Sequence, residues 1–187
     1  MSRAIDDLMH EHRLIEKVLG SLEAFADAAE RGAAVERNTV AQYADFFRNF
    51  ADRCHHGKEE DRLFVKMAEH GFPKEAGPLA VMYADHRHGR ENVAALAALG
   101  AGGGPLTDDE RGRLIGLARS YASHLRDHIL KEDRILYPMA LQAIPPDELE
   151  RLAEEFDAFE RDVMDGGTHE RFHELAKSLL ASYPPGG

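Results

Sequence analysis

Apolar residues recur at intervals of three or four positions along most of this chain, as they do in helices that bury one face. The alternating apolar and polar pattern typical of β-strands is absent from the sequence. Glycines, prolines and capping residues interrupt the helical pattern, and the clearest start signal is the capping box of Thr107 and Glu110. The pattern predicts six helical segments, with approximate bounds 2–30, 38–70, 75–100, 107–143, 146–165 and 168–182.

These segments predict an all-α protein. The first four are long and joined by short breaks, which favours an up-down antiparallel four-helix bundle over residues 1–145. The last two are expected to form a C-terminal helical extension, residues 146–187, that packs on the bundle or lies at a subunit interface such as that of a homodimer. An internal repeat supports the bundle, because HHGKEEDRLF at 55–64 aligns without a gap with HILKEDRILY at 128–137.

Composition narrows the function classes. A chain of 187 residues, 43% of them hydrophobic, can bury one core. The formal charge of −11 argues against nucleic acid or a membrane surface as a partner, because both attract clustered lysine and arginine. There is no apolar run of membrane-spanning length and no leader-like start, so a cytoplasmic location is expected. The single cysteine, Cys54, leaves carboxylates and the 11 histidines as candidate metal ligands.

Two histidines occupy positions where an apolar stripe calls for an aliphatic residue. In the first segment, His12 follows Ile5 and Leu8 at helical spacing and precedes Ile15. In the third segment, His86 interrupts a similar stripe. Both imidazoles are therefore predicted to face the interior of the bundle.

Each repeated helix carries a histidine four residues before a glutamate: His55 with Glu59, and His128 with Glu132. Side chains four positions apart lie on one helix face, where both can reach one metal ion or bridge two. Both pairs fall on the apolar side of their helices. The neighbouring His56 falls on the polar side of a regular α-helix, so it is expected to be solvated.

For a single buried histidine, a hydrogen-bonded core residue is the more ordinary interpretation. Four histidines and two glutamates inside one small bundle are harder to satisfy, because each unpaired buried group costs on the order of several kcal/mol. A metal centre removes that cost. Imidazole and carboxylate ligands without thiolate suit iron, manganese or zinc, and glutamates on facing helices suit a dinuclear site. The predicted ligands are His12, His55, Glu59, His86, His128 and Glu132.

The order of these residues resembles that of the hemerythrin-like HHE proteins of bacteria. The pattern is a lone histidine, His-x3-Glu, a second lone histidine and a second His-x3-Glu, and it covers about residues 5–140. The segments HHGKEEDRLF, ADHRHGRE and HILKEDRILYP are similar to those of the family. The resemblance implies two iron ions joined by both glutamates and by an oxo or hydroxo bridge, with an open position for a small ligand. Zinc or manganese would be substitutes for iron.

The sequence departs from the oxygen-carrying members of that family on the third and fourth helices. Those proteins have a second histidine one turn after the third-helix ligand, where this chain has Arg90. They have an aspartate five residues after the fourth-helix histidine, where Asp133 competes with Glu132. The missing histidine predicts that one iron ion has an additional open coordination position, or that another residue such as Tyr83 replaces the histidine as a ligand. His124, one turn before the fourth-helix histidine, is a further candidate.

Three function classes remain open at this point. The leading hypothesis is a di-iron module that binds or senses dioxygen or a related small ligand. A second hypothesis is an enzyme in which the same centre acts on peroxide or ferrous iron. A third is a structural bundle that holds zinc or no metal.

Overall fold

The helical pattern folds as six helices in the part of the chain that the structure describes. A computed structural model describes residues 2–163 and 168–186. We number the helices α1 (Arg3–Glu30), α2 (37–69), α3 (Gly77–Gly100), α4 (108–143), α5 (Pro146–Val163) and α6 (Thr168–Ser182). These described residues contain no strand, which confirms the all-α prediction. The predicted bounds agree within a few residues, and the predicted end of the fifth segment at residue 165 lies outside the described residues.

The helix ends follow local signals in the sequence. The predicted capping box is present: Thr107 Oγ1 accepts from the backbone N–H of Glu110 at 3.2 Å, and Glu110 Oε2 accepts from that of Thr107 at 2.9 Å. After α2, Gly71 has a φ of +95°, a left-handed conformation that glycine adopts without steric cost. Arg37, the first residue of α2, donates to the carbonyl oxygen of Leu99 near the end of α3 at 2.6 Å. This bond links the two helix ends.

Both repeated helices widen into π-helical turns, which contain three of their four predicted ligands; His128 lies in the regular helix just before one. In α2 these turns cover Phe47–His56 and Glu59–Leu63, and in α4 they cover Glu132–Leu136. In a π-helix each backbone hydrogen bond spans five residues instead of four, and such turns are frequent at functional sites. Because each residue then advances the helix by a smaller angle, neighbouring side chains lie closer to the same face.

The first four helices enclose a buried polar layer between two apolar clusters. Helix α1 packs against α4, α2 against α3, and α3 against α4. The first cluster is formed by side chains from one end of each of these four helices and includes Leu8, Leu63, Met82 and Leu136. The second cluster is formed by side chains from the opposite ends of the same helices and includes Ile15, Cys54, Val93 and Leu125. The predicted metal ligands lie between the two clusters.

The last two helices pack on the first two. Helix α5 contributes Leu152 and Phe156 to the first cluster, and α6 contributes Phe172 and Leu179 to the second. Both helices contact α1 and α2. The homodimer interface, the other place foreseen for these helices, stays a prediction. Within residues 2–163 and 168–186, no helix combines the length and apolar character needed to cross a membrane.

Candidate metal centre

All six predicted ligands lie in one buried cluster, at exposures of 1% or less. A seventh residue, His56, joins them at 4% exposure. The cluster consists of two groups. Within each group, all the ligand atoms lie within 4.8 Å of one another. We call the first the two-histidine group; its members are His12, His55, Glu59 and Glu132. We call the second the three-histidine group; its members are His56, Glu59, His86 and His128.

Glu59 is common to both groups. Its Oε2 atom lies 3.7 Å from Nε2 of His55 and 3.4 Å from Nε2 of His86. Its Oε1 atom accepts a hydrogen bond of 2.8 Å from the Tyr137 hydroxyl, which also lies 3.3 Å from Nε2 of His12. The rings of Tyr137 and His12 are stacked, with centroids 5.5 Å apart. Tyr137 therefore borders the two-histidine group.

Glu132 also lies between the two groups. Its Oε2 atom is 3.2 Å from Nε2 of His12, and its Oε1 atom is 3.1 Å from Nε2 of His128. Like Glu59, it faces a histidine of each group with one carboxylate. Two carboxylates placed in this way suit a pair of bridged metal ions.

Several atoms of the cluster lack hydrogen bonds. Among the described residues, the buried side-chain atoms with no hydrogen-bond partner are His55 Nε2, Glu59 Oε2 and both carboxylate oxygens of Glu132. The Nε2 atoms of His86 and His128 face each other at 3.1 Å, so only one of the two can hold a proton between them. Each unsatisfied buried group costs about 1–3 kcal/mol. Metal cations would pair with all of these atoms, so the residues present fit a metal centre.

Each of the five histidines places Nδ1 against an outer carboxylate. The pairs are His12 with Asp133 (2.7 Å), His55 with Glu11 (2.7 Å), His56 with Asp52 (3.3 Å), His86 with Glu60 (2.6 Å) and His128 with Asp85 (3.4 Å). A carboxylate at one ring nitrogen fixes the orientation of an imidazole and leaves the other nitrogen for a metal. The five pairs therefore form the outer support that metal-binding histidines usually have.

Lysine and arginine side chains form salt bridges with these outer carboxylates. The pairs are Lys58 with Glu11, Lys131 with Asp85, Arg13 with Asp133, and Arg90 with both Asp52 and Glu60. Lys58 and Lys131 are equivalent positions of the internal repeat, so the repeat includes the support of the ligands as well as the ligands. Arg90 acts in this outer layer and does not replace a histidine of the cluster.

The internal repeat breaks at two positions of the site. His56 aligns with Ile129, which has no atom that binds a metal ion, and Phe64 aligns with Tyr137. The three-histidine group thus has an imidazole where the other half of the site has an aliphatic side chain. The ring of Phe64 stacks on that of His86 at 5.8 Å, whereas its counterpart presents a hydroxyl to the two-histidine group. The two candidate ion positions are therefore chemically different.

The expectation that His56 is solvated is wrong. Its ring stacks on that of His86, with centroids 3.9 Å apart. The reason is the π-helical segment Phe47–His56, which brings His55 and His56 together onto the inner face. The sequence signal for this residue is Arg90, because a helix α3 that lacks the second histidine leaves room at the cluster for a histidine from a neighbouring helix.

The other candidates named from the sequence lie outside the cluster. The Tyr83 hydroxyl lies 3.5 Å from a backbone carbonyl oxygen of α2, and Nε2 of His124 lies 3.1 Å from one of α3. Asp133 faces Nδ1 of His12, which leaves Glu132 as the carboxylate that α4 presents to the cluster. The tyrosine beside the cluster is instead Tyr137, which the sequence marks only as the last residue of the internal repeat.

Burial and neighbouring charges divide the histidines into two sets. Burial lowers the pKa of His56 to about 3, and it lowers the pKa of His55 well below the usual value. Burial also opposes protonation of His12, but the carboxylates around it raise its pKa to about 10. The pKa of His86 is raised well above its usual value by the same balance. The pKa of His128 is raised in the same way, so in the metal-free protein the surroundings favour the protonated form of His12, His86 and His128 and the neutral form of His55 and His56.

Comparison with protein families gives a match over most of the chain. The family model of the hemerythrin HHE cation binding domain matches residues 3–140. The matched range contains all seven residues of the cluster and ends before α5. No significant match was found among curated proteins or among solved structures.

Proposed function

This chain belongs to the hemerythrin HHE cation-binding domain family, and on that premise we propose that its buried cluster holds two iron ions. The protein binds or senses dioxygen or a related small ligand at this centre. The observation that carries the proposal is the pair of ligand groups joined by the carboxylate of Glu59. Each group has imidazoles that an outer carboxylate orients, and such a set of inward-facing donors is suited to cations.

The helices that carry these ligands form an up-down antiparallel bundle in this proposal. Along α1 and α3 the chain runs from the first apolar cluster to the second, and along α2 and α4 it runs in the reverse direction. The contacts of α1 with α4 and of α2 with α3 support the same arrangement. Alternating directions with short connections are typical of such bundles.

Iron is the proposed metal because of the donor set. Imidazole and carboxylate without thiolate suit iron, and zinc or manganese would be substitutes. When bound, iron would supply redox-active binding of a small ligand. The protein supplies the oriented imidazoles, the carboxylates between them and the exclusion of bulk water, since the exposures of the seven residues are 4% or less.

The two-histidine group is the proposed position for the small ligand. It has one histidine fewer than the other group, because Ile129 aligns with His56 in the repeat. Because Glu132 also faces His128 at 3.1 Å, it counts with both groups, so an ion here would have four candidate ligands where the other would have five, and more of its coordination would stay open to an external ligand. The Tyr137 hydroxyl lies beside this position and is able to donate a hydrogen bond.

We expect Ile129→His to close this position. The introduced imidazole would be the counterpart of His56 and would add a third histidine to the two-histidine group. Two iron ions should remain bound, while the affinity of the ferrous protein for nitric oxide should fall by at least about tenfold, or about 1.4 kcal/mol. A titration with nitric oxide, followed by visible absorption, measures this change.

The matched control is Leu130→His at the adjacent position, whose side chain is 47% exposed. It adds the same imidazole without reaching the cluster, so nitric oxide affinity should not change. Unchanged affinity in Ile129→His, with both iron ions present, would place the ligand position elsewhere.

The direct test of the proposed function is metal analysis of protein produced with iron. We expect about two iron ions per chain, as in other dinuclear carboxylate bundles, and near-ultraviolet absorption bands from ferric iron. Anaerobic reduction followed by exposure to dioxygen or nitric oxide should change the visible spectrum. A protein that takes up only zinc, or no metal, would contradict the proposal and support a structural bundle.

Metal binding should release protons and strengthen as the pH rises. His12, and any other histidine of the cluster that is protonated, must lose its proton to bind a metal, so we expect proton release on binding near pH 7.5 and about a tenfold gain in affinity per pH unit for each proton released. This gain continues toward pH 10, the approximate pKa of His12 in the metal-free protein. Calorimetry in buffers of different ionisation enthalpy counts the protons, and no proton release would contradict the assigned charge states.

The stability of the metal-free fold should change with pH in the opposite direction. A raised pKa means that protonated His12 stabilises the folded chain fully below its ordinary pKa of 6.5. That contribution is lost as the pH rises from 6.5 toward about 10. Urea denaturation of metal-free protein at several pH values separates this effect from metal binding.

A second candidate function is an enzyme that acts on peroxide or ferrous iron. The observation that favours it is the Tyr137 hydroxyl, which lies within hydrogen-bond distance of Glu59 and close to His12 on the more open side of the site. A phenolic O–H at that place can exchange its hydrogen bond to Glu59 for one to a reacting ligand. Steady turnover of peroxide by the iron-loaded protein, lost in Tyr137→Phe at unchanged iron content, would favour the enzyme over the binding module.

A further inference from the structure

Two residues between the ligands of α2 face helix α5. Gly57 and Lys58 follow His56 and precede Glu59. A Cβ atom at position 57 would lie 2.6 Å from Cζ of Phe159, so the aromatic ring packs directly against this glycine. A larger residue at position 57 would push the ring, and α5 with it, away from the ligand-bearing helix.

Lys58 continues this contact toward the metal centre. Its side chain is 1% exposed, and its ammonium group binds Glu11 of α1 and, at 2.5 Å, Glu160 of α5. Glu11 in turn lies 2.7 Å from Nδ1 of His55. A continuous series of charged contacts therefore joins α5 to a predicted ligand.

The ammonium group of Lys58 depends on these partners because it is buried. A buried charge is tolerated when it is paired, and losing one partner leaves it poorly compensated. The ring of Phe156, also on α5, lies 5.8 Å from the ammonium nitrogen and adds a weaker attraction. Helix α5 thus provides much of the surroundings of Lys58, and through Lys58 it restrains Glu11.

The equivalent segment of α4 lacks this cover. Leu130 and Lys131 align with Gly57 and Lys58 in the repeat, and their side chains remain substantially exposed, at 47% for the leucine residue and 37% for the lysine side chain. The repeat therefore contains one ligand segment that α5 covers and one that stays open to solvent.

We infer that helix α5 is a positioning element of the metal centre. Phe159 and Glu160 hold the segment 57–58 and thereby orient His55 and Glu59 toward an ion at the two-histidine position. The inference rests on the proposed function, since it assumes that the cluster binds metal. It gives a role to a helix that lies beyond the range of the family match.

The first test compares Glu160→Gln with Glu155→Gln, an exposed position on the same helix. Anaerobic titration with ferrous ion measures the two affinities. Loss of an outer partner typically weakens metal binding by about 10-fold to 100-fold. Glu160 acts through Lys58 and Glu11, so we expect a loss toward the lower end of this range at one of the two ions in Glu160→Gln and none in Glu155→Gln. Equal affinities in both variants and the unchanged protein would overturn the inference.

A double-mutant cycle tests the second contact and does not depend on Glu160→Gln folding. Gly57→Ala should weaken the same ion when Phe159 is present, because the added methyl group displaces the ring. In a Phe159→Ala background the methyl group meets no ring, so the additional effect of Gly57→Ala should largely disappear. An equal effect of Gly57→Ala in both backgrounds, or no effect in either, would show that the contact does not position the ligands.

Hydrogen exchange of the metal-free protein separates failure of this inference from failure of the proposed function. Glu160→Gln should speed exchange of amides in residues 55–63 and leave the equivalent residues 128–136 unchanged. If the unchanged protein binds no ferrous ion, the proposed function fails, and the exchange experiment still decides whether α5 restrains this segment. Unchanged exchange in residues 55–63 would overturn the positioning role.

Discussion

Glu59→Gln is expected to empty both metal positions, because Glu59 is the carboxylate shared by the two ligand groups. Glutamine has nearly the same shape, but its neutral amide oxygen is a weaker metal ligand than a carboxylate oxygen. Its NH₂ group does not coordinate metal ions, so it cannot replace the second carboxylate oxygen. The affinity for each ion should fall by more than the roughly 10-fold to 100-fold that is typical of outer partners. Elemental analysis and anaerobic titration with ferrous ion measure the loss.

Glu60→Gln is the matched control for this change. Glu60 is the next residue in the chain, but its carboxylate lies 2.6 Å from Nδ1 of His86 and 2.8 Å from Arg90, on the outer side of the cluster. Its replacement should weaken binding and still allow two ions at saturating iron. If Glu59→Gln retained both ions, Glu59 would not bridge the groups.

Both glutamine variants should keep the helical fold when metal-free. Removing a carboxylate leaves the charged imidazole of His86 with fewer partners, so the metal-free fold should be less stable, but the two apolar clusters that hold the helices together are unchanged. Far-ultraviolet circular dichroism and urea denaturation check this point. A folded, metal-free Glu59→Gln protein would show that the lost iron reflects a lost ligand rather than a lost fold.

His56→Ala is expected to remove the ion of the three-histidine group and to leave the other ion bound. The side chain of His56 belongs to that group alone, and its ring stacks on His86. Iron content should therefore fall by about half, with the loss of a direct ligand exceeding the effect of an outer partner. His55→Ala should produce the complementary loss, and the double variant should bind no iron.

The control for His56→Ala is His88→Ala on the surface of α3. The His88 side chain is 53% exposed and contacts Glu91, so its loss should leave iron content unchanged. Full iron content in His56→Ala would mean that this histidine is a buried neighbour of the ligands and not a ligand. A regular α-helix predicts that result, whereas the π-helical turns of α2 predict the opposite.

The asymmetry of the site connects these experiments. His56 and Ile129 are equivalent positions, so His56→Ala and Ile129→His alter the number of histidines on the two ions in opposite directions. The first should remove an ion, and the second should retain both ions and close the ligand position. Together they test whether a single difference between the two halves of the repeat sets the difference between the two ions.

The sequence alone was sufficient for the fold class and for six of the seven residues in the cluster. Helical periodicity placed His12 and His86 in apolar stripes, and a histidine interrupting such a stripe is informative because its neighbours show which face is buried. The repeat of HHGKEEDRLF and HILKEDRILY identified two equivalent ligand-bearing helices. These are local patterns, and local patterns survive in a sequence without knowledge of its packing.

The outer support of the ligands depended on tertiary structure. Glu11 and His55 are far apart in the chain but 2.7 Å apart in space, and Asp133 and His12 are a similar case. Each contact joins two different helices, so it depends on how those helices rotate and pack against each other. The sequence around either residue therefore does not predict which residue on the other helix it contacts.

The place of His56 was also decided by tertiary structure, for a different reason. Regular α-helical periodicity predicts that His55 and His56 point to different faces, and the sequence shows no local sign of the wider π-helical turns. In the folded chain both imidazoles are buried against the other helices, and the π-helical backbone is the conformation that brings them there. The backbone conformation of α2 is therefore evident only in the folded chain, because side chains of α1, α3 and α4 complete the cluster around its two histidines.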